Sequence, residues 1–224
     1  MNFKHPLILA SSSPRRQFLM KEAGFVFTIE PPESDESFPS SMPVDQVPRY
    51  LAEKKAKSIA YKLKGNEVIL TSDTVVILDD QILNKPKDRT EAIAMLSQLS
   101  GKTHTVITAV CLLSKSKMDC FDDSTKVTFK ELSSDEIIDY VDHFKPFDKA
   151  GAYGAQDCLP DGMNPCSQTE LKFLESINRL DLVRKTLTKT KPGLGMKAIS
   201  KIDGSYFTVM GLPMQKVYAH LHQF

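Results

Sequence analysis

The period of apolar and polar positions changes several times along the chain, and each change predicts a new strand or helix. An apolar run at residues 6–10 predicts a buried strand, and three serines, a proline and two arginines follow it. Proline suits the first turn of a helix, and Gly24 suits its end. A short strand at 25–30 and a proline-containing polar loop at 31–43 are predicted next.

The middle of the chain has the clearest periodicity. Val, Ile and Thr dominate residues 68–78, which predict the strongest strand of the sequence. Ser133 and Glu136 have the spacing of a capping box at the start of a helix. In order, this part predicts a helix at 48–63, a strand at 68–78, a turn at 79–80 into a short strand at 82–83, a helix from 88 or 90 to 99, neighbouring strands at 104–113 and 119–131, and a helix at 134–143.

The C-terminal third begins with a glycine-containing loop at 145–156. An amphipathic helix is predicted at 168–189, where Ser167 and Glu170 have capping-box spacing. Beyond it we expect a hairpin turning at 203–204 between strands at 198–202 and 205–210, and a short C-terminal helix. The order of elements predicts a mixed α/β sheet flanked by helices, in a single bilobed domain covering residues 1–224.

Composition excludes some classes of protein. Of 224 residues, 29 are Lys or Arg and 28 are Asp or Glu, so the net charge of +1 does not favour nucleic acid or an anionic membrane. No apolar run approaches the roughly 20 residues of a membrane span. The four cysteines have no C-x-x-C spacing, and we interpret them as reduced thiols. We therefore expect a cytoplasmic protein without a nucleic-acid or membrane partner.

Arg15 and Arg16 lie where the first helix is predicted to begin. A helix N-terminus already carries partial positive charge, so two arginines there are unfavourable unless an anion is close. A bound phosphate would satisfy both arginines and the unpaired N–H groups of the first turn. The alternative is that both side chains extend into solvent.

Asp73 interrupts the β-branched strand at 68–78. A carboxylate at the centre of a buried strand is costly unless a cation or hydrogen-bond donors pair with it, which makes Asp73 the best candidate for a catalytic or metal-binding acid. The alternative is a solvated face of a half-exposed strand. Taken one at a time, the acidic pair at 35–36, Lys85 and Lys149 are weaker signals.

Together these residues supply carboxylates and loop cations of the kind that hold a metal–polyphosphate and activate water. The sequence has no G-x-x-x-x-G-K-[ST] motif and no G-x-G-x-x-G after a strand, so it supports neither a P-loop ATPase nor a Rossmann dehydrogenase.

The chain resembles the Maf family of nucleoside triphosphate pyrophosphatases over almost its whole length. The segments that carry the resemblance are SSSPRR at 11–16, DE at 35–36, LAEKKA at 51–56, SDTVV at 72–76, KP at 85–86, LSGKTH at 99–104 and DKAGAYGAQ at 148–156. The resemblance implies a fold like that of inosine triphosphate pyrophosphatases, an elongated mixed sheet with a cleft between two lobes.

The resemblance also implies cleavage between the α and β phosphates, and it makes Asp73 the proton acceptor. It makes Arg15, Thr74 and Gln156 the specificity residues of the branch that acts on dTTP and UTP. On this basis we expect Glu36 and Asp73 to hold Mg²⁺ or Mn²⁺. The residues expected to bind phosphate are Ser11, Ser13, Arg16, Lys55, Lys85 and Lys149.

One segment departs from the family pattern. Residues 158–196 are inserted before a C-terminal part that resembles the family at 201–206 and 209–213. The insertion begins beside Gln156, and it is expected to pack on the surface, cap the cleft, bind another molecule or add the contact of a possible homodimer. A second candidate function is a non-catalytic nucleotide-binding regulatory protein linked to cell division.

Overall fold

The computed structural model describes residues 3–187 and 195–224. The predicted mixed α/β architecture is confirmed: strands form one mixed sheet, and helices lie between them in sequence. The strands are β1 (Leu7–Leu9), β2 (Phe27–Ile29), β3 (Val68–Leu78), β4 (Gln81–Leu83), β5 (Thr103–Leu113), β6 (Met118–Phe129) and β7 (Ile199–Asp203). The helices are α1 (Pro14–Glu22), α2 (Val47–Ser58), α3 (Arg89–Leu99), α4 (Ser134–Phe144), α5 (Ala155–Cys158), α6 (Gln168–Ser176), α7 (Asp181–Leu187), α8 (Tyr206–Val209) and α9 (Met214–Leu221).

The sheet has the order β2-β1-β3-β5-β6-β7, and β4 pairs with β3. β1 runs parallel to both β2 and β3, so that Leu9 lies beside Leu70, while β7 runs antiparallel to β6. The turn predicted at 79–80 is confirmed. Asp79 and Asp80 both have positive φ, which a tight turn between antiparallel strands requires.

Two compact units divide the chain. The first contains residues 1–74, 107–123 and 210–224, and the second contains 75–106 and 124–209. β1 and β2 belong to the first unit and β4 and β7 to the second, whereas β3, β5 and β6 contribute residues to both. No helix in the described residues is long and apolar enough to span a membrane.

Local sequence signals predict both ends of α3 and the starts of α4 and α6. Asp88 caps α3 by accepting a hydrogen bond from the Glu91 N–H, and Gly101 has a positive φ just after the helix. The capping boxes of α4 and α6 are both present as predicted. The helix predicted at 48–63 is shorter: α2 ends at Ser58, and a 3₁₀ turn covers Ala60–Lys62.

The prediction of one long helix at 168–189 is wrong. Two helices, α6 and α7, replace it, and Asn178 between them has a positive φ that ends the first. Residues 188 and 189 lie outside the described part of the chain.

The predicted hairpin at 203–204 is also wrong, because β7 is followed by the short helix α8. The buried Glu170 carboxylate accepts hydrogen bonds from the Tyr206 and Phe207 N–H groups and from the Ser205 hydroxyl. These contacts satisfy N–H groups that the first turn of a helix leaves unpaired.

The cysteines differ from the prediction as well. The structure joins Cys111 of β5 to Cys120 of β6 in a disulfide, whereas Cys158 and Cys166 are free thiols. Burial raises the pKa of both free thiols well above the ordinary value. The expectation of four reduced thiols is therefore wrong for the pair on adjacent strands.

Candidate active site

The start of α1 places Arg16 against three protein acceptors in the first unit. Its Nε donates to the Gly211 carbonyl at 2.8 Å, Nη1 to the Ser72 carbonyl at 2.7 Å and Nη2 to the Thr74 hydroxyl at 2.9 Å. Ser72 and Thr74 are the neighbours of Asp73 in β3, so the guanidinium binds the backbone on both sides of that carboxylate. The positive charge of Arg16 at the N-terminus of α1 is therefore stabilised by carbonyl and hydroxyl oxygens of the protein.

Gly211 lets this contact form. Its φ of +96° lies in the region that favours glycine, and a Cβ there would lie 3.3 Å from the Thr74 hydroxyl and 3.4 Å from Arg16 Nε. The Ser72 hydroxyl also donates to the Gly211 carbonyl, at 3.1 Å. The chain after α8 is therefore held directly beside the Asp73 segment.

Asp73, Lys55 and Glu36 form a charged cluster in the same unit. Lys55 lies on the buried side of α2, and its Nζ contacts Asp73 Oδ1 and lies 3.2 Å from Glu36 Oε1. The Asp73 side chain is 9% exposed and that of Lys55 is 11% exposed, so water shields this pair poorly. Asp73 is therefore a buried carboxylate paired with a cation, and it does not lie on the solvated face of a half-exposed strand.

The pKa of Asp73 is raised above its usual value, mainly because burial disfavours the charged carboxylate. Lys55 and Arg16 oppose this effect, whereas Glu36 adds to it. Burial also lowers the pKa of Arg16 to about 10, and the Arg16 guanidinium therefore stays charged at neutral pH.

Ser11, Ser13 and Arg15 surround the same helix start. Ser11 follows β1 and is buried, and its hydroxyl accepts the Ser13 N–H at 3.2 Å. The Gln17 amide donates to the Ser11 carbonyl at 3.1 Å, which fixes the loop against the first turn of α1. Arg15 is half-buried in that first turn.

Thr74 contacts Thr108, a residue that no sequence pattern singles out. Its hydroxyl lies 2.9 Å from the hydroxyl of Thr108, a fully buried residue of β5. Thr108 occupies an apolar strand without any motif, so only the fold identifies it. Gly211 lies in the segment at 209–213 that resembles the family, and this resemblance is the sequence signal that could have identified it.

The remaining predicted residues belong to the second unit. Lys85 is exposed between β4 and α3, and Lys149 precedes the 3₁₀ turn Ala150–Ala152 with its Nζ 2.7 Å from Asp148 Oδ1. Gln156 is half-buried in α5. The loop at 149–156 thus carries two of the predicted residues.

The Glu36 and Asp73 carboxylates fit a hard divalent cation, because both direct oxygens towards one positive charge, the Lys55 ammonium. Mg²⁺ commonly binds one or two carboxylates and completes its shell with water and substrate phosphates. Within residues 3–187 and 195–224, no group of three or more His, Cys, Asp or Glu residues has the arrangement of a complete metal site.

The fold and the site define a mixed α/β protein whose central strand carries a buried carboxylate compensated by an ammonium and a guanidinium. Comparison with known proteins gives the family. A family model described as Maf-like protein matches residues 6–161, and the chain belongs to this family.

The relatives match over nearly the full length. A protein of Flavobacterium johnsoniae named dTTP/UTP pyrophosphatase is 36% identical over 97% of this chain and 94% of its own. A Flavobacterium psychrophilum protein of the same name is 39% identical over 96% of this chain and 92% of its own. Among solved structures, the Staphylococcus aureus Ham1 protein covers 55% of this chain and 71% of its own, with 11% identity and a TM-score of 0.42, too low for an inference.

Proposed function

We propose that the protein hydrolyses nucleoside triphosphates to the monophosphate and pyrophosphate, with dTTP and UTP as favoured substrates. The observation that carries the proposal is the buried Asp73 carboxylate between Lys55 and Arg16, in a chain of the Maf-like family. Relatives named dTTP/UTP pyrophosphatase, aligned over more than nine-tenths of their own length, support the choice of substrate.

Asp73 acts as the general base in this proposal. Burial raises its pKa, and a carboxylate of raised pKa takes a proton from water more readily than a solvated one does. Arg16 holds the backbone on both sides of Asp73, which keeps the carboxylate in one orientation.

Lys55 supplies positive charge where the phosphates would enter. In the free protein its ammonium is shared between Asp73 and Glu36. A triphosphate carries more negative charge than these two carboxylates, so Lys55 can exchange a carboxylate partner for a phosphate oxygen and still have an anionic partner. The carboxylate that Lys55 releases would then need another cation, which the divalent metal proposed below would supply. This exchange would free Asp73 to accept a proton.

We also propose that Glu36 and Asp73 hold Mg²⁺ or Mn²⁺ when substrate binds. The cation would neutralise charge on the phosphate oxygens and lower the pKa of bound water. The Lys55 ammonium supports this assignment because it is a cation already held by the same two carboxylates.

Other assignments follow the family resemblance. Arg15, Thr74 and Gln156 are proposed to select the nucleotide, and an amide such as that of Gln156 can both donate to and accept from a pyrimidine edge. Ser11, Ser13, Lys85 and Lys149 are proposed to bind phosphate. Arg16 was also expected to bind phosphate, but its guanidinium donates to three protein oxygens, and it is proposed to position Asp73 instead.

A panel of nucleoside triphosphates tests the proposal. The purified protein is incubated with each nucleotide and Mg²⁺ or Mn²⁺, and pyrophosphate and orthophosphate are measured separately. Pyrophosphate from dTTP and UTP is the expected result, and its loss on addition of a chelator is expected from the metal assignment. Orthophosphate would indicate a different phosphatase, and binding without turnover would favour the regulatory alternative.

A further inference from the structure

The loop at 149–156 is held in the second unit by contacts from three other segments. The Gly151 N–H donates to the Asn84 carbonyl at 3.2 Å, and the Gly154 N–H donates to the Tyr140 hydroxyl at 3.0 Å. Between them, the Tyr153 hydroxyl lies 2.8 Å from Nε2 of His104.

Gly151 is needed for the backbone conformation of this loop. Its φ of +68° suits glycine, and a Cβ there would lie 3.1 Å from a methyl group of Val76. The backbone of the loop therefore packs directly on β3, and residues 151–155 are all buried. Lys149 and Gln156 lie at the two ends of this buried stretch and are both half-buried.

The His104–Tyr153 contact is a polar pair inside an aromatic cluster. His104 is 2% exposed, and its ring meets Phe129 and Tyr153 edge-on at centroid distances of 5.1 and 5.4 Å. Burial lowers the pKa of His104 to about 4, so the imidazole is neutral at physiological pH. In the described residues, its second nitrogen, Nδ1, has no hydrogen-bond partner.

Such a pair contributes little to folding, because desolvating an imidazole with one unmatched nitrogen offsets the single hydrogen bond that it makes. A phenylalanine or leucine at the same place would avoid that cost. A buried polar pair does, however, select one arrangement of the groups around it. What it fixes here is the position of Tyr153, midway between Lys149 and Gln156.

We propose that His104 and Tyr153 are positioning residues that hold the loop at 149–156 in the conformation needed for nucleotide selection. This inference rests on the proposed function, since Gln156 and Lys149 are its substrate-binding groups. Neither His104 nor Tyr153 contacts the nucleotide in this account; they act through the two residues at the ends of the loop.

The test is the ratio of kcat/KM for dTTP to kcat/KM for GTP. This ratio does not depend on the fraction of folded enzyme, so a purely structural defect leaves it unchanged. We expect Tyr153→Phe and His104→Leu each to lower it by about three- to tenfold. His104→Gln, which keeps a hydrogen-bonding group near the position of Nε2, is expected to stay within about twofold of wild type.

Tyr206→Phe is the matched control, because Tyr206 is a buried tyrosine of the same unit outside the loop. An unchanged ratio in both Tyr153→Phe and His104→Leu, with wild-type enzyme selective for dTTP, would overturn the inference. Wild-type protein without pyrophosphate release would instead refute the proposed function.

Amide hydrogen exchange then tests the loop by itself. Faster exchange at residues 149–156 in Tyr153→Phe supports the positioning role, and unchanged exchange there contradicts it.

Discussion

Lys55 and Asp73 form a buried ion pair that joins α2 to β3, with Glu36 on the other side of the ammonium. The two side chains come from segments 18 residues apart and are both about one-tenth exposed. Removing either partner leaves a charge in a poorly solvated place, whereas removing both does not. The pair therefore couples the stability of the first unit to the charge of the proposed general base.

Replacing Lys55 with Met is expected to lower the free energy of unfolding by about 3–5 kcal/mol, because Asp73 is left buried without its main cation. Urea denaturation measures the change. Lys54→Met is the matched control, since neighbouring Lys54 pairs with the exposed Asp35 and should have little effect. A loss in Lys55→Met no greater than in Lys54→Met would contradict the account. The double variant Lys55→Met/Asp73→Asn should recover much of the loss.

Arg16→Ala removes three hydrogen bonds from the guanidinium to Gly211, Ser72 and Thr74. We expect a loss of about 3 kcal/mol in the free energy of unfolding, together with a fall in kcat for dTTP, because Asp73 is no longer held. Arg15→Ala should instead change nucleotide preference and lower the free energy of unfolding less than Arg16→Ala does. Equal effects of the two substitutions on both measurements would show that the division of roles is wrong.

His104 should make stability depend on pH. Its pKa is about 4 in the folded protein and about 6.5 when unfolded, so between these values the unfolded chain binds a proton that the folded chain does not. Stability is therefore lost as pH falls from about 6.5 to about 4, at up to about 1.4 kcal/mol per pH unit. Denaturation of wild type and His104→Gln across this range gives the difference; parallel profiles would mean that His104 is not buried as described.

Glu170→Gln should destabilise the second unit by about 2–3 kcal/mol, because the carboxylate accepts hydrogen bonds from three consecutive residues at the start of α8. Glu136→Gln is the matched control, because Glu136 has the same position in the capping box of α4 that Glu170 has in the capping box of α6, but its side chain is exposed. The shift in the urea midpoint should be clearly smaller for Glu136→Gln. Equal shifts would mean that Glu170 serves only its own helix.

The contrast between Glu136 and Glu170 shows what the sequence could predict. Both capping boxes depend on residues three apart, and both were predicted. The contacts from Glu170 to 205–207 join residues about 35 apart, and they stabilise α8 where a strand was expected. No local sequence pattern signals these contacts. The strand β3 and the helix α3 were predicted closely because their patterns are local and unbroken.

The candidate site follows the same rule. Asp73 could be identified from the sequence because a carboxylate in a β-branched strand needs a partner. Lys55 could be identified because it lies in the segment at 51–56 that resembles the family. The hydrogen bond from Arg16 to Gly211 spans 195 residues, and Thr108 reaches Thr74 from another strand. Such contacts depend on the three-dimensional arrangement of whole elements, so they become visible only in the structure.

Asp73→Asn tests whether the Asp73 carboxylate is the general base of pyrophosphate release. The amide has nearly the same shape as the carboxylate but cannot take a proton from water, and pyrophosphate release from dTTP with Mg²⁺ or Mn²⁺ is measured beside wild type. We expect a fall in kcat of about 10³-fold or more in a variant that still shows a cooperative urea transition. Pyrophosphate release by folded Asp73→Asn at the wild-type rate would contradict it.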